Sequence, residues 1–209
     1  MKREGDLNSL TDGKLYRSSD MARLGCNDCE GCSACCKGMG NSVVLDPYDV
    51  WRLEQGLGIP FAKMIGQQVM LSVVDGVILP SLNMEGTGAC PFLNGEGRCS
   101  IHAFRPGICR LFPLGRYYHD GGFSYVLMTG ECKKENRSKI KIEKWLGEPN
   151  LKAYEKFVLQ WKEILEQTRE LLGKTTDLEE QKQISVSLLH KYYLAPCEGD
   201  FFAGFGVRE

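Results

Sequence analysis

Five cysteines fall within eleven residues of the segment CNDCEGCSACCKG, which covers residues 26–38. The chain of 209 residues contains ten cysteines in all. Thiols at such a density form disulfides in short secreted proteins, whereas in a reducing cytosol they bind metal. This chain is not short, and its polar first 20 residues lack the apolar core of a secretion signal. The cysteines therefore predict a metal site rather than a disulfide scaffold.

The remaining composition predicts a globular protein without an obvious charged partner. Apolar residues make up 43% and charged residues 25% of the chain, both ordinary values. The net charge of −1 offers no general attraction for nucleic acid or for an anionic membrane. No apolar run approaches the roughly 18 residues that span a bilayer. We therefore expect a cytoplasmic protein that binds neither nucleic acid nor membrane.

The pattern of apolar residues predicts an α+β fold with two β-hairpins. In residues 69–82 and 114–129, β-branched and aromatic runs flank an Asp-Gly dipeptide, which suits a tight hairpin turn. Asp46 and Pro47 are typical of the start of a helix, and Gly56 and Gly58 of its end. Between the hairpins we expect irregular structure with one helical turn near Phe104.

The C-terminal part of the chain is predicted to be helical. Helices are expected over 138–149, 150–174 and 177–195, and a short one over 60–68. The middle segment carries an apolar stripe at helical spacing, which we expect to face a core; its members are Leu151, Tyr154, Phe157, Val158, Trp161, Leu165, Thr168 and Leu172. Trp51 and Trp145 are likewise predicted to be core residues.

The change near residue 136 from a cysteine-rich segment to predicted helices suggests three parts of the chain. Residues 1–20 form a polar N-terminal arm, either mobile or folded over the cysteine region. Residues 21–135 form a cysteine-cluster metal-binding domain with the two hairpins. Residues 136–209 form a helical extension that packs on it, and its aromatic tail is expected to contact the rest of the molecule.

The cysteine-rich segment can be interpreted in two registers. Cys26, Cys29, Cys32 and Cys36 have the spacing C-x2-C-x2-C-x3-C of a bacterial ferredoxin run, but Lys37 stands where that run has proline. The second register, C-x2-C-x2-C-C, replaces Cys26 by Cys35. It is accompanied by single cysteines downstream, in the segments GACPFLNGEGRCSIH, RPGICRLFP and GEC.

The second register resembles a known family. CEGCSACC, VVLDPYDVWRLEQGLG and GACPFLNGEGRCSIHAFRPGICRLFPL together are similar to the CxxCxxCC, or YkgJ-type, zinc- or iron-chelating domains. The resemblance covers residues 26–132. A more distant likeness is to flagellin lysine methylases, which would imply that the chain modifies a protein or peptide.

The resemblance implies a ligand set of eight thiolates, which could serve as ligands of one or two centres: Cys29, Cys32, Cys35, Cys36, Cys90, Cys99, Cys109 and Cys132. The side chains of the neighbouring Cys35 and Cys36 are expected to point apart, so that they serve two different centres or one is a ligand and the other packs. Cys26 and Cys197 lie outside this set. His102 is interpreted as an ordinary packed histidine rather than a ligand.

The identity of the metal stays open at this point. Cysteine-only coordination suits structural zinc and iron–sulfur clusters alike. The downstream cysteines are single rather than paired, which favours a cluster, [4Fe–4S] above all, over zinc. The basic residues Lys37, Arg98, Arg105 and Arg110 are predicted to lie nearby and to offset the negative charge of such a centre.

Three functions remain open on the sequence alone. An enzyme would modify a protein or peptide, although no nucleotide-binding glycine loop is present. A redox module would transfer electrons to a protein partner. A zinc-binding structural or metal-delivery module would have no catalytic activity.

Replacing Cys90 or Cys109 by serine tests the predicted ligand set. We expect each variant to lose metal content and soluble yield together, because the loops between the hairpins have little else to order them. Elemental analysis and the yield of soluble protein measure both effects. Normal metal content in both variants would contradict their assignment as ligands.

Overall fold

This computed structural model describes residues 7–27, 32–195, 197 and 199–205. Within these ranges the β-strands form three antiparallel pairs. The pairs are β1 (Met21–Gly25) with β6 (Ser138–Lys141), β2 (Val69–Val74) with β3 (Val77–Leu82), and β4 (Leu114–His119) with β5 (Gly122–Leu127). The second and third pairs confirm the predicted hairpins. In the first hairpin, Asp75 and Gly76 take positive φ angles of 49° and 84°, as the tight turn requires.

Helices connect and cover these strand pairs. They are α1 (Leu7–Leu10), α2 (Pro47–Leu57), α3 (Phe61–Met64), α4 (Gly107–Leu111), α5 (Ile142–Leu146), α6 (Leu151–Leu172), α7 (Leu178–Leu189), a π-helix (His190–Leu194) and α8 (Phe201–Phe205). Short 3₁₀ turns occur at Ala34–Cys36 and His102–Phe104. The α+β prediction is confirmed. Within the described ranges, no helix combines the length and the apolar character needed to cross a membrane.

Helix α2 begins and ends as its sequence predicts. The side chain of Asp46 accepts a hydrogen bond from the backbone of Asp49, whose own side chain accepts one from the backbone of Asp46. Gly58 ends the helix with φ 66°, a conformation that glycine adopts easily. Gly56 lies inside the helix instead of ending it. A Cβ at Gly56 would lie 2.4 Å from the Phe104 ring, so its absence lets the two segments approach each other closely.

Two helix predictions need correction. Residues 138–141 form strand β6 and only residues 142–146 form a helix, because β1 supplies a hydrogen-bonding partner from the other end of the chain. Ile140 and Ile142 alternate with lysines, a pattern that suits a strand. The last predicted helix divides into α7 and the π-helix that follows it.

The N-terminal segment packs along β5. Tyr16 and Tyr125 exchange two backbone hydrogen bonds of 2.8 Å, and Thr11 forms an isolated bridge with Met128. The side chains of Ala22 and Leu24 of β1 are buried beside Tyr125 in a small core that also includes Ile142. Residues 11–16 therefore pair with β5 of the hairpin, and β1, which pairs with β6, packs beside it and leads into the cysteine segment.

A larger core joins residues on both sides of the predicted boundary at position 135. Phe157 of α6 contacts the Tyr48 ring of α2 and the Phe205 ring of α8, with ring centroids 6.2 and 4.8 Å apart. Along α6, Tyr154, Phe157, Val158, Trp161, Thr168 and Leu172 are buried, as the apolar stripe predicts. The division into three parts stays a prediction, but α6 and α8 share this core with α2 and the β2–β3 hairpin.

Truncating Phe157 tests this core. Phe157→Ala is expected to lower the free energy of unfolding by about 3–5 kcal/mol, because a large aromatic side chain leaves a cavity in a packed interior. Phe157 is 1% exposed, whereas Leu171 on the same helix is 50% exposed. Leu171→Ala is the matched control and should change the free energy by less than about 0.5 kcal/mol. Urea unfolding of both variants measures the difference, and equal effects would contradict this assignment of the core.

Candidate metal centre

A cavity of about 100 Å³ lies where the first cysteine segment meets the irregular region between the hairpins. Six of the predicted ligands line it: Cys32, Cys35, Cys36, Cys90, Cys99 and Cys109. Each of these cysteines is half-buried and is a free thiol. Apolar side chains, among them Met39, Ile101 and Phe112, form much of the remaining wall. Cysteines from positions up to 77 residues apart (109 − 32) thus share one cavity.

A short backbone pairing holds the first two cysteine-bearing segments together. The backbone N–H of Cys90 donates to the carbonyl oxygen of Cys36 at 2.7 Å, and that of Gly38 donates to Gly88 at 2.7 Å. Gly38 takes φ 70° here, which only glycine adopts without strain. Cys36 and Cys90 are therefore brought side by side by main-chain hydrogen bonds, whatever their side chains bind.

A tight loop brings Cys99 back beside Cys90. Leu93 and Cys99 form an isolated antiparallel bridge, and the Asn94 side chain accepts the Arg98 backbone N–H at 2.8 Å. The backbone N–H of Phe92 donates to the Cys90 sulfur, and that of Ile101 donates to the Cys99 sulfur. In both cases the donor lies two residues after the cysteine. Such bonds stabilise a thiolate, which is the form that binds metal.

Helix α4 positions Cys109. Its first residue, Gly107, donates its backbone N–H to Asp49 Oδ1 at 2.6 Å. A Cβ at Gly107 would lie 2.3 Å from the Tyr154 hydroxyl, so this position needs a glycine for close packing. Asp49 is 2% exposed, and burial raises the pKa of its carboxyl group. Asp49, which completes the capping box of α2, thus also fixes the helix that carries Cys109.

The buried Arg110 anchors the opposite side of α4. Its guanidinium forms a short ion pair with Glu148 at 2.5 Å, and Arg52 also contacts Glu148 at 3.3 Å. The Tyr48 hydroxyl donates to the same carboxylate at 2.9 Å. The sequence predicts that Arg110 offsets the negative charge of the metal centre. The observed partner is Glu148, which follows α5, so Arg110 joins elements instead of neutralising the thiols.

Cys35 and Cys36 converge instead of pointing apart. The Cys35 thiol donates a hydrogen bond to the Cys36 sulfur, which raises the pKa of Cys35 and lowers that of Cys36. The two residues lie in a 3₁₀ turn in which the Cys36 N–H donates to Ser33 at 3.0 Å. This tight local backbone directs both side chains into the same cavity, so the expectation that they diverge was wrong.

Three other thiols of the cavity, those of Cys90, Cys99 and Cys109, resist ionisation. Desolvation by burial raises the pKa values of Cys90, Cys99 and Cys109. The neighbouring thiols, including Cys35, raise them further, because adjacent negative charges repel. A bound metal cation supplies the positive charge that makes several adjacent thiolates favourable. The arrangement therefore fits a metal better than a set of isolated reactive thiols.

Two of the four predicted basic residues face the thiols. Arg98 and Arg105 line the cavity, and the positive charge of Arg105 acts on Cys35 and Cys99 to lower their pKa values in part. His102 also lines the cavity and contacts the Arg105 guanidinium. Lys37 is exposed and, like Arg110, is not part of the cavity wall.

The remaining cysteines lie in different places. Cys132 lines a second, smaller cavity beside the first, together with Cys26, and Cys197 packs against the large core. Cys29 and Gly31 lie outside the described residues. Within residues 7–27, 32–195, 197 and 199–205, no three His, Cys, Asp or Glu side chains come close enough to hold one ion. The thiols line the cavity walls at a wider spacing than the coordination of one ion requires.

Two aromatic residues of the site, Phe112 and Trp145, have no local signal in the sequence. Trp145 was predicted to be a core residue, but it lines both cavities together with Phe112. The Trp145 indole N–H donates to the carbonyl oxygen of Phe112 at 3.2 Å. Only the docking of α5 against α4 brings these residues together, and no local spacing in the sequence signals it.

The fold and the site together define an α+β protein with a thiol-lined cavity suited to a thiophilic metal. The sequence model of the CxxCxxCC family, described as "Putative zinc- or iron-chelating domain", matches residues 28–141, more than half of the chain. The chain belongs to this family. The general class of function of the family is metal binding. Comparisons with curated proteins and with solved structures found no match.

Removing the acceptor for Gly107 tests how the cavity is supported. Asp49→Ala should lower the free energy of unfolding by about 1–3 kcal/mol, because the buried Gly107 N–H loses its partner. Asp49→Asn is the control, since its one side-chain oxygen can still accept the Gly107 hydrogen bond, while the bond from the Asp46 N–H to Oδ2 is lost in both variants. Urea unfolding compares the two variants. Equal stability of Asp49→Ala and wild type, or equal losses in both variants, would contradict this role.

Proposed function

We propose that this chain binds one or two iron–sulfur centres through cysteine thiolates and acts in electron transfer with a protein partner. The observation that carries the proposal is the convergence of thiols from residues 32–36, 90, 99 and 109 on one cavity. Sulfur ligands of this kind suit iron–sulfur clusters and zinc, but not magnesium or calcium.

The proposed ligands are the eight cysteines of the family pattern. Cys32, Cys35, Cys36, Cys90, Cys99 and Cys109 are supported by their place in the larger cavity. Cys132 is supported by its place in the adjoining one. Cys29 is included on its sequence spacing alone. The backbone N–H groups that donate to Cys90 and Cys99 favour the thiolate form that a metal requires.

Iron–sulfur, and [4Fe–4S] in particular, is preferred over zinc for two reasons. The downstream ligands come singly, from separate turns, and a cluster can accept ligands from several directions. Arg98 and Arg105 face the thiols, where their charge would offset the net negative charge of a thiolate-ligated cluster. When bound, such a cluster supplies one-electron transfer at a potential set by its surroundings.

A redox role fits the position of the cavity near the surface. The cysteines are half-buried rather than sealed, and Ile108 in the cavity wall is 43% exposed. A docked protein could therefore come close to the centre. The resemblance to flagellin lysine methylases adds protein or peptide modification as a related role of the same centre.

A zinc-binding structural or metal-delivery module is the second candidate. Four of the cysteines, Cys36, Cys90, Cys99 and Cys109, line the larger cavity and not the smaller one. Four thiolates are the complete ligand set of a structural zinc site. In that case the metal would order the loops between the hairpins and would carry no redox chemistry.

Anaerobic purification of the full chain distinguishes these functions. We expect coloured protein with a broad thiolate-to-iron absorption band, several irons per chain and matching acid-labile sulfide. Dithionite should bleach the band and reoxidation should restore it. Cys197→Ser, which alters a thiol outside both cavities, serves as the control and should keep the wild-type spectrum.

Other outcomes separate the alternatives. Colourless protein with zinc and no iron would support the structural module, and rapid loss of that zinc to a mild chelator would support delivery. Folded protein without any metal after anaerobic purification would refute metal binding by this chain.

A further inference from the structure

A second cavity of about 30 Å³ adjoins the first. It is lined by Cys26, Cys32, Cys35 and Cys132, of which Cys32 and Cys35 also line the larger cavity. Phe112 and Trp145 likewise belong to both walls. Cys26 lies before the start of the family match at residue 28, so the family pattern gives it no role.

The β1–β6 pair brings Cys26 and Cys132 to the same place. Cys26 directly follows β1, whose last residue, Gly25, is paired with Ser138 at the start of β6. The chain that leads into β6 contains Cys132 and turns at Gly130, with φ 77°. A Cβ at Gly25 would lie 2.2 Å from Ser138 Oγ, so the two strands meet closely at this end. The pairing of distant segments, not the cysteine spacing, thus forms this cavity.

The eight cysteines that line the two cavities divide between them in a simple way. Cys36, Cys90, Cys99 and Cys109 touch only the larger cavity, and Cys26 and Cys132 touch only the smaller one. Cys32 and Cys35 lie on the shared wall. Each cavity therefore has access to at least four thiols, the number that a tetrahedral thiolate site uses.

Size and charge indicate what the smaller cavity can hold. Its volume of about 30 Å³ is about a third of the 100 Å³ of the larger cavity, which favours a single ion over a cluster. Lys133 and Lys134 line it together with Glu131, so the net charge of these three residues is positive and complements a thiolate-bound ion. Within the described part of the chain no three of these sulfurs lie close enough to hold one ion, so binding requires cysteine side chains to change between staggered rotamers.

We propose that Cys26 is a ligand, with Cys32 and Cys132, of a second metal site that holds a single thiophilic ion, zinc or iron, beside the main centre. Cys35 lies at the boundary and completes the set of four thiols. The proposal rests on the proposed metal-binding function and extends it by a ligand that the family pattern does not include.

Elemental analysis of anaerobically purified full-length variants tests the second site. Cys26→Ser and Cys132→Ser should each lose one ion per chain and keep the metal of the main centre. The double variant should lose no more than either single variant, because both thiols serve the same ion. Cys197→Ser is the matched control and should keep all metal. Whether the lost ion is zinc or iron identifies the occupant.

Comparison with Cys109→Ser separates failure of this proposal from failure of the proposed function. Full metal content in Cys26→Ser, together with loss of metal in Cys109→Ser, would overturn the second site and leave the main centre in place. Full metal content in both variants would refute the proposed ligand sets of both sites. Absence of metal from the folded wild-type protein would refute the metal-binding function itself. Loss of all metal from a folded Cys26→Ser protein would overturn the division into two sites.

Alkylation of the wild-type protein provides a test that does not depend on how the variants fold. Maleimide labelling followed by mass spectrometry should find Cys26 and Cys132 protected in metal-loaded protein. Stepwise treatment with a chelator should expose these two thiols together, in a different step from Cys90 and Cys99. Rapid labelling of Cys26 before any metal is removed would overturn the proposal.

Discussion

The pairing of residues 36–38 with residues 88–90 is the contact on which the thiol-lined cavity depends. It joins the cysteine-rich segment to the irregular region between the hairpins by main-chain hydrogen bonds of 2.7 Å. It places Cys36 directly beside Cys90. Main-chain bonds suit this purpose because they set the approach of two loops independently of the side chains that line the cavity.

The rest of the fold positions α4, which carries the Cys109 wall of the cavity, from two sides. On one side, Asp49 of α2 holds the first residue of α4 and thereby positions Cys109. On the other side, Glu148, which follows α5, binds Arg110 of α4 and Trp145 of α5 contacts Phe112. The helical C-terminal part is therefore joined to the metal-binding region by packing and by buried polar contacts. The Cys90 and Cys109 thiols in turn carry raised pKa values that a bound cation would offset.

Local sequence signals predicted much of the fold. The hairpins, the capped helix α2 and the buried stripe of α6 all follow from turn residues, capping residues and apolar periodicity, which depend only on neighbours in the chain. Strand β6 was missed because its partner β1 is more than 100 residues away. The interaction between Cys35 and Cys36, the Glu148 partner of Arg110 and the place of Trp145 likewise depend on tertiary packing. The family pattern predicted which cysteines could meet, whereas the division between two cavities follows from the β1–β6 pair.

Metal-edge X-ray absorption spectroscopy on anaerobically purified protein tests the central claim most directly, because it identifies the atoms bound to the metal. The account predicts a first coordination shell of sulfur at about 2.3 Å, as thiolate ligands give. A shell dominated by nitrogen or oxygen at about 2.0–2.2 Å would contradict it, since histidine or carboxylate ligands would then hold the metal instead of the convergent cysteines.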